Sequence, residues 1–463
     1  MVEEVRSFTK ARLLTTLALS NFLLLTGMIS PAVAQGIVDI TLPQQSGSGS
    51  LTRYLDPAQG MTADEAVAYA LSHNPELEAV RKDVEAARAL VSQARLRPNP
   101  MLDVSGSRMI AGSDNSVMVT GRLPLELGGR RSARILVAER EVEVRTEMLA
   151  DRERILAAEV RAKFGEALAN VLKLGFTEDL LDASQRGYRR VAARVVEGRT
   201  APLEQNMVLV EVNRLRTMRE MSEGKVQVLM LELRNLIGMR PEEPLRLKGA
   251  FSNLLDQPVS LGAATAQALA SRPDIRAARA MERLAEAQIE QARSEGRYDA
   301  SLMAGYERTR LGFMLNGIDE AGQLRPIEMT SNMLTFGVSI TLPVRNKNQG
   351  AIEAAVAGAE AARRRREFAE LTVRREVAAG FARYERAARA MEIFRVGVRD
   401  QANSNLNVVR QTYELGAKTL LDFIGEQRRF IELENEFITA VLDTYQARVE
   451  IERATSSPRL ITR

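Results

Sequence analysis

The side chains that most often carry enzymatic or metal chemistry are scarce in this sequence. It has no cysteine and a single histidine, His73, among 463 residues. The missing thiols exclude disulfides, thiolate catalysis, iron–sulfur clusters and a lipid-modified N-terminal cysteine, and one imidazole cannot build a multi-histidine zinc site. Eighteen methionines could offer soft thioether ligands, but flexible apolar packing is their commoner use. We therefore expect no enzyme, no cofactor and no resident metal.

The charges nearly cancel. Lys and Arg number 64 against 60 Asp and Glu, so the net charge is only +4. This balance does not indicate a nucleic-acid partner. Aromatic residues make up 5% of the chain, and the charged residues alternate with Ala, Leu and Val. Such a composition is typical of long helices rather than of a compact domain.

The first sixty residues indicate export. Lys10 and Arg12 precede the uncharged residues 13–29, and the small residues Ala32 and Ala34 follow at the positions that a signal peptidase recognises. We predict a signal peptide at residues 1–34, cleaved after about Ala34. A membrane anchor is the alternative, but the apolar run is near the lower limit for a span. Residues 35–60 are rich in Gly, Ser, Gln and Pro and are predicted to form a flexible leader.

The rest of the chain consists of two similar halves. Three matches support this: residues 66–95 with 264–293, Leu123-Pro124 with Leu342-Pro343, and Gly198 with Gly416. We place the boundaries as follows: first repeat 61–245, linker 246–261, second repeat 262–454 and C-terminal tail 455–463.

Each half has the same predicted order of elements: a helical stretch, two short strands, a very long helix, a glycine turn and a return helix. The long helix of the first half covers about 67 residues, or roughly 100 Å. Its counterpart is predicted at residues 351–415. Phe423, Phe430 and Phe437 recur at the seven-residue spacing of helices that pack side by side. Both halves are therefore predicted to form long antiparallel helical hairpins.

Four alternating segments are predicted to be strands, at about residues 101–109, 116–127, 300–313 and 332–344. In the last of them Phe336, Val338 and Ile340 share one face, whereas Thr335 and Gly337 take the other. Lipid on one side and water on the other would explain this pattern, although a soluble sheet covered by helices remains an alternative. Four strands cannot close a membrane barrel, whereas three copies of the chain would supply twelve.

With these features, residues 61–452 resemble the TolC family of outer-membrane efflux channels. The resemblance rests on the duplication, on Asn74-Pro75 and Arg272-Pro273, and on residues 413–422. Residues 123–131 and 425–429 are most similar to the branch that serves cobalt, zinc and cadmium pumps. The family implies a mainly α fold, in which a trimeric α-helical barrel crosses the periplasm and four strands per chain contribute to a 12-stranded β-barrel in the outer membrane.

The resemblance also implies roles for residues at the hairpin ends. Asp422 matches an aspartate that lines the periplasmic mouth, where three copies would form an acidic ring. Tyr413 and Lys418 match residues that hold the mouth shut, and Glu204 matches the acidic partner of the Lys418 position. A contact between Glu204 and Lys418 is therefore predicted, with solvated turn residues as the alternative. The predicted adaptor contacts are the hairpin tips: Gly198, Arg199, Thr200, Gly416 and Ala417.

The predicted function is a passive outer-membrane conduit of a three-part RND-type pump that exports heavy-metal cations. Its expected partners are two further copies of the chain, outer-membrane lipid, a periplasmic adaptor and, indirectly, an inner-membrane transporter. A type I secretion or multidrug exit duct would share the fold. From another class, the chain could be a secreted coiled-coil scaffold or a periplasmic adaptor, but an adaptor has one hairpin within a β-rich domain rather than two hairpins joined to strands.

Overall fold

The computed structural model describes residues 51–110, 112–251 and 260–457. The predicted signal peptide, residues 35–50 of the predicted leader and residues 252–259 of the predicted linker lie outside these ranges. The first half contains α1 (Leu51–Tyr54), α2 (Ala63–His73), α3 (Pro75–Arg95), β1 (Met101–Arg108), β2 (Asn115–Pro124), α4 (Arg130–Val196) and α5 (Pro202–Ile237). The second half contains α6 (Leu261–Ser271), α7 (Pro273–Glu295), β3 (Asp299–Ile318), β4 (Leu324–Thr341), α8 (Gln349–Ile393), α9 (Arg399–Glu414) and α10 (Leu420–Thr455). The predicted mainly α fold with a small antiparallel sheet is confirmed.

The helical stretch that opens each half is broken before a proline, which cannot donate a backbone hydrogen bond. In the first half Asn74 caps α3, because its Oδ1 accepts from the Leu77 amide at 2.9 Å, and its amide group donates to the Leu236 carbonyl at 2.9 Å. The corresponding residue of the second half is Arg272. It is 2% exposed and holds Asp274 and Glu376 by ion pairs of 2.7 and 2.8 Å.

The main core lies around the middle of α4, where α2, α5 and α10 pack against it. Small residues of α4 let these helices approach closely. A Cβ atom at Gly165 would lie 2.3 Å from the ring of Tyr445 on α10. Packing of this kind supplies most of the stability of this 67-residue helix.

The long helix predicted at residues 351–415 is not continuous. A π-helical turn at Phe394–Val398 separates α8 from α9. Phe394 and Arg399, at either end of this wider turn, both contact Phe437 of α10, at 6.5 Å between ring centroids and 5.1 Å from guanidinium to centroid. Arg399 also donates to the buried Glu434 at 3.0 Å. The helical periodicity of the sequence continues through residues 394–398, so the π-helical turn could not be predicted from it.

The four strands form one antiparallel sheet in the order β1-β2-β3-β4. Register places Leu102, Ala304 and Phe336 on one face, which is aliphatic and aromatic, together with Val104, Val119, Tyr306 and Leu334. On β4 this apolar face runs from Ile340 to Leu334, roughly 20 Å at about 3.3 Å per residue. The opposite face carries small polar and charged residues together with methionines. We call these the apolar face and the water face of the sheet.

Strand lengths differ from the prediction at the end distant from the helices. β3 ends at Ile318 and β4 begins at Leu324, eight residues earlier than predicted. Alternation is weak in this extension, and Pro326 argues against a strand there. In this extension of the described sheet, β3 and β4 pair with each other but not with β2, since the pairing of β2 with β3 ends at Arg310. At the other end, β2 and β4 end at Pro124 and Thr341. The Leu125 amide still donates to the Ala300 carbonyl of β3 at 2.9 Å.

The prediction of a flexible leader up to residue 60 is wrong for residues 51–60. Tyr54 is buried, and its carbonyl accepts from the Leu247 amide at 2.8 Å. Leu55 and Met61 both form bridges with Leu247, which belongs to the predicted linker. The Gly- and Ser-rich composition ends at residue 50, and the apolar residues that follow bind to the core.

None of the helices in the described ranges combines the length and the apolar composition needed to cross a membrane.

Candidate functional site at the hairpin ends

The second hairpin turns between α9 and α10. Gly416 takes the left-handed conformation, with φ of +80°, and ends α9. Thr419 caps α10: its hydroxyl accepts from the Asp422 amide at 3.2 Å, while the Asp422 carboxylate accepts from the Thr419 amide and hydroxyl at 3.0 and 2.8 Å. These hydrogen bonds lower the pKa of Asp422. The predicted ring aspartate is thus an exposed carboxylate held in place by a capping box.

The first hairpin turns between α4 and α5 with the same backbone. Gly198 has φ of +74°, and the Arg199 amide donates to the Arg194 carbonyl at 2.9 Å. Here, however, the residue before the helix is Ala201, which has no side chain that can cap it. Glu204 stands 218 positions before Asp422, as Gly198 stands 218 before Gly416. The two acidic residues are therefore equivalent in the duplication, and Glu204 has no capping partner.

The free carboxylate of Glu204 contacts the other hairpin. The hydroxyl of Tyr413 on α9 donates to Glu204 Oε2 at 3.3 Å. The ring of Tyr413 stacks on Phe423 of α10, with 5.9 Å between centroids. Burial raises the pKa of Tyr413, and the adjacent Glu204 carboxylate raises it further, so the phenol stays protonated as a donor. The structure thus brings two of the four predicted gate residues, Tyr413 and Glu204, into contact.

The predicted contact between Glu204 and Lys418 does not form within one chain. Among the described residues, Lys418 has no ion-pair partner within 4.0 Å, and the partner of Glu204 is Tyr413 instead. Lys418 lies in the exposed turn just before Thr419. Its charge favours the ionised form of Asp422, which contributes to the lowered pKa of that carboxyl group.

A buried carboxylate joins the hairpins further along the bundle, and sequence reasoning missed it. Glu211 of α5 is 2% exposed, and it accepts from Arg214 at 2.6 Å and from Arg428 of α10 at 2.8 Å. Burial alone would raise the pKa of Glu211, but the hydrogen bonds from the two guanidinium groups outweigh it and lower the pKa. A cavity of about 330 Å³ separates the hairpins here, between Glu211 and Tyr413.

The residues predicted to meet an adaptor lie at the extreme ends of both hairpins. Gly198, Arg199, Gly416 and Ala417 are exposed, and Thr200 is half-buried. The side chain of Arg199 forms an ion pair with neighbouring Glu197 at 3.3 Å. These residues are thus accessible in the described chain.

The described residues contain no group of three or more His, Asp or Glu side chains arranged to hold a metal ion. His73, the lone imidazole, stacks on Tyr69 at 4.0 Å, and its Nδ1 lies within hydrogen-bonding distance of Ser72 Oγ. Both contacts are local to α2 and give His73 a structural role.

A family model matches most of the chain. The model described as outer membrane efflux protein covers residues 66–239 and 264–457, one match for each half of the duplication. The chain therefore belongs to the outer membrane efflux protein family.

Several proteins are similar over nearly the full length. The cobalt-zinc-cadmium resistance protein CzcC of Cupriavidus metallidurans is 25% identical over 400 residues, which cover 86% of this chain and 90% of that protein. The solved structure of CusC is 17% identical with a TM-score of 0.69, covering 89% of this chain and 95% of the other. The open state of the Neisseria gonorrhoeae MtrE channel is 19% identical with a TM-score of 0.65, covering 89% and 93%. The fold of this chain is therefore that of an outer-membrane efflux channel.

Proposed function

We propose that the chain is the outer-membrane exit channel of a three-part efflux pump, working as a homotrimer. Three four-stranded sheets would close into a 12-stranded barrel in the membrane, and the paired hairpins of three chains would form the tunnel below it. The channel is passive, and its partners supply the driving force.

The four-stranded sheet carries this proposal. Its order leaves β1 and β4 as two unpaired edges, and in lipid every backbone group must find a partner. One face of the sheet is apolar, as the lipid-facing band of an outer-membrane barrel has to be. A single chain cannot satisfy both conditions, but a ring of copies can, with β4 of each chain pairing with β1 of the next.

We further propose that the hairpin ends form the gate. The bond between Tyr413 and Glu204 ties one hairpin to the other and would have to break if the hairpins separate. Asp422, fixed by Thr419 at the start of α10, would contribute to an acidic ring around the axis of the trimer and attract cations. Lys418 would find its acidic partner on a neighbouring copy rather than within its own chain.

The exposed hairpin tips are the surface that we assign to a periplasmic adaptor, which would connect the channel to an RND-type transporter. The name of CzcC supports cobalt, zinc or cadmium as the exported cations. A multidrug or type I secretion duct differs in partner and cargo rather than in fold. A secreted scaffold or an adaptor is disfavoured, because neither requires a sheet with an apolar face and two open edges.

Two measurements test this function. Purified protein in planar bilayers should give discrete cation-selective conductance steps; a protein that inserts without conducting would contradict the channel. Deletion of the gene should then lower resistance to cobalt, zinc or cadmium, and the intact gene should restore it. Sensitivity to drugs alone would overturn the heavy-metal assignment and leave the channel itself standing.

A further inference from the structure

The apolar face of the sheet gives way to a cationic surface at the end distant from the helices. Along β3 this face carries Leu302, Ala304 and Tyr306, followed by Arg308 and Arg310. The row of paired residues through Tyr306 is apolar on every strand. The row through Arg310 is wholly polar and consists of Arg108, Asn115, Arg310 and Thr330. The boundary therefore belongs to the sheet as a whole and not to one strand.

Three arginines beyond this boundary lie on the same face, and we call them the outer arginine patch: Arg108, Arg308 and Arg310. Asn115 pairs with Arg108 on one side and with Arg310 on the other, so the Cα atoms of these two arginines are about 10 Å apart. Arg308 precedes Arg310 by two residues, about 7 Å along β3. All three are exposed, and from Ser301 to Arg310 the residues of the apolar face are exposed whereas those of the water face are half-buried. The patch thus lies on the more open side of the sheet.

The carboxylates near the patch do not neutralise it. Among the described residues, Arg108 and Arg308 have no ion-pair partner. Arg310 is 3.9 Å from Glu328, and both side chains are 45% exposed, so this pair is weak. The carboxylate of Asp114 instead accepts from a backbone amide of β3 at 2.7 Å. The patch therefore keeps an excess of positive charge.

The order of residues at this boundary is the one found at the edge of a lipid-facing band. An arginine that faces lipid is costly in the middle of a bilayer and tolerated at the interface, where aromatic residues also collect. Tyr306 lies in the last wholly apolar row, and its hydroxyl donates at 2.8 Å to Asn332, which belongs to the row of Arg308. The phenol therefore reaches from the apolar band toward the arginines. This order places the patch at the headgroup level of the leaflet farther from the helices.

We propose that the outer arginine patch binds the phosphate groups of anionic lipids in the outer leaflet. A guanidinium group binds a phosphate through two parallel hydrogen bonds, and each arginine can hold a phosphate by itself, so the three side chains need not converge on one point. A lipid fits better than a free anion, because its chains would lie on the apolar face directly beside the patch. The inference rests on the proposed function in one respect, that the apolar face contacts lipid. Three such patches around the trimer would fix the height of the barrel in the membrane.

Native mass spectrometry of the trimer of the full chain, released from detergent, tests the patch. The probe is diphosphoryl lipid A, and the same lipid without its phosphates is the reference. The wild-type trimer should retain the phosphorylated lipid at concentrations at which the reference dissociates. Each arginine at a membrane surface strengthens the binding of anionic lipid about fivefold. Arg308→Gln should therefore weaken retention about fivefold, and the triple replacement of the patch by Gln about a hundredfold.

Arg122→Gln is the matched control. Arg122 is an exposed arginine of β2 on the water face, so its replacement removes the same charge and leaves the patch intact. This control should retain lipid A like the wild type. Arg308→Lys should fall between the wild type and Arg308→Gln, because lysine keeps the charge and loses the paired hydrogen bonds.

The inference is overturned if the triple variant retains lipid A like the wild type, if Arg122→Gln loses as much, or if the dephosphorylated lipid is retained equally. Displacement of the lipid by an equal concentration of inorganic phosphate would also overturn it, since the patch would then be a site for a free anion. The same spectra show whether each variant is a trimer, and Arg308→Gln alone decides the question if the triple variant does not assemble. A conducting trimer without a preference for the phosphorylated lipid removes this patch alone, whereas a monomer that does not conduct removes the proposed channel.

Discussion

The two hairpin ends share one backbone and differ in how the next helix begins. Both turn at a left-handed glycine and both place an acidic residue at the third position of the return helix. At the second end Thr419 binds that residue, Asp422, into a capping box. At the first end Ala201 cannot do so, and Glu204 reaches Tyr413 of the other hairpin instead. One small side chain thus decides whether a duplicated carboxylate stabilises its own helix or joins two hairpins.

The largest expected effect on stability concerns Glu211, the buried carboxylate that joins the two hairpins. Glu211→Ala removes the hydrogen bonds that the carboxylate accepts from Arg214 and Arg428, and we expect it to lower the free energy of unfolding by about 2 kcal/mol. Thermal unfolding in detergent measures this loss. Glu220→Ala is the matched control, since Glu220 is exposed on the same helix and pairs with Arg219. If both variants lose the same stability, the buried ion pairs of Glu211 contribute no more than an exposed ion pair.

The ion pairs of Glu211 also predict that stability depends on pH. Because the pKa of Glu211 is lowered in the folded state, its contribution is complete above the ordinary carboxyl pKa and is lost as the pH falls through the lower, folded pKa. The difference in stability between the wild-type chain and Glu211→Ala should therefore narrow in acid. A constant difference would contradict the ionised state of Glu211.

Exchanging the cap tests the comparison itself. Thr419→Ala should destabilise α10 by about 1 kcal/mol, and Ala201→Thr should stabilise the start of α5 by up to about the same amount. The backbone of Ala201, with φ of −68° and ψ of 140°, already suits a capping residue. The new hydroxyl, together with the backbone amide that residue 201 already has, would draw Glu204 away from Tyr413, so Ala201→Thr should raise channel conductance. If Ala201→Thr stabilises the protein and leaves conductance unchanged, Glu204 has no role in closing the channel.

Tyr413→Phe removes the hydroxyl and keeps the stacked ring. We expect stability to fall by only about 0.5 kcal/mol, since the bond is long and half-exposed, while conductance increases. Phe423→Leu is a useful control, because it removes the stacking partner and leaves the phenol in place. If Tyr413→Phe conducts like the wild type, the hydrogen bond does not hold the gate.

Lys418→Ala should have the smallest effect on stability, within about 0.5 kcal/mol, because Lys418 has no ion pair in the described chain. The proposed contact across chains nevertheless predicts a leakier channel. Unchanged closure of the trimer in bilayers would reject that role.

Glycines and periodicity were sufficient to predict the hairpins, since a left-handed turn and a seven-residue repeat are local signals. The spacing of Thr419 and Asp422 is also a local signal, of a capping box, and could have been read from the sequence. The partner of Glu204 could not, because Tyr413 is 209 residues away and the Lys418 position competes for it. Similarly, Glu211 looks like any charged helical residue until α10 packs beside it.

In the sheet, too, local features could be predicted from the sequence and long-range ones could not. Alternation predicted which side chains share a face, because two successive residues of a strand always point to opposite sides. It did not predict the extension from Leu324, where Pro326 and mixed residues hide the strand.

Disulfide cross-linking across the open edges tests the central claim most directly. The chain has no cysteine, so any disulfide must join two engineered cysteines. Within one chain β1 and β4 lie three strand spacings apart, about 14 Å, which is too far for a disulfide. Ser105→Cys on β1 would be combined in turn with a cysteine at each of five β4 positions: Ser331, Met333, Thr335, Gly337 and Ser339. A covalent trimer of the 51.2 kDa chain, less any leader removed, is expected for at least one pair. Monomers in every combination would contradict the account.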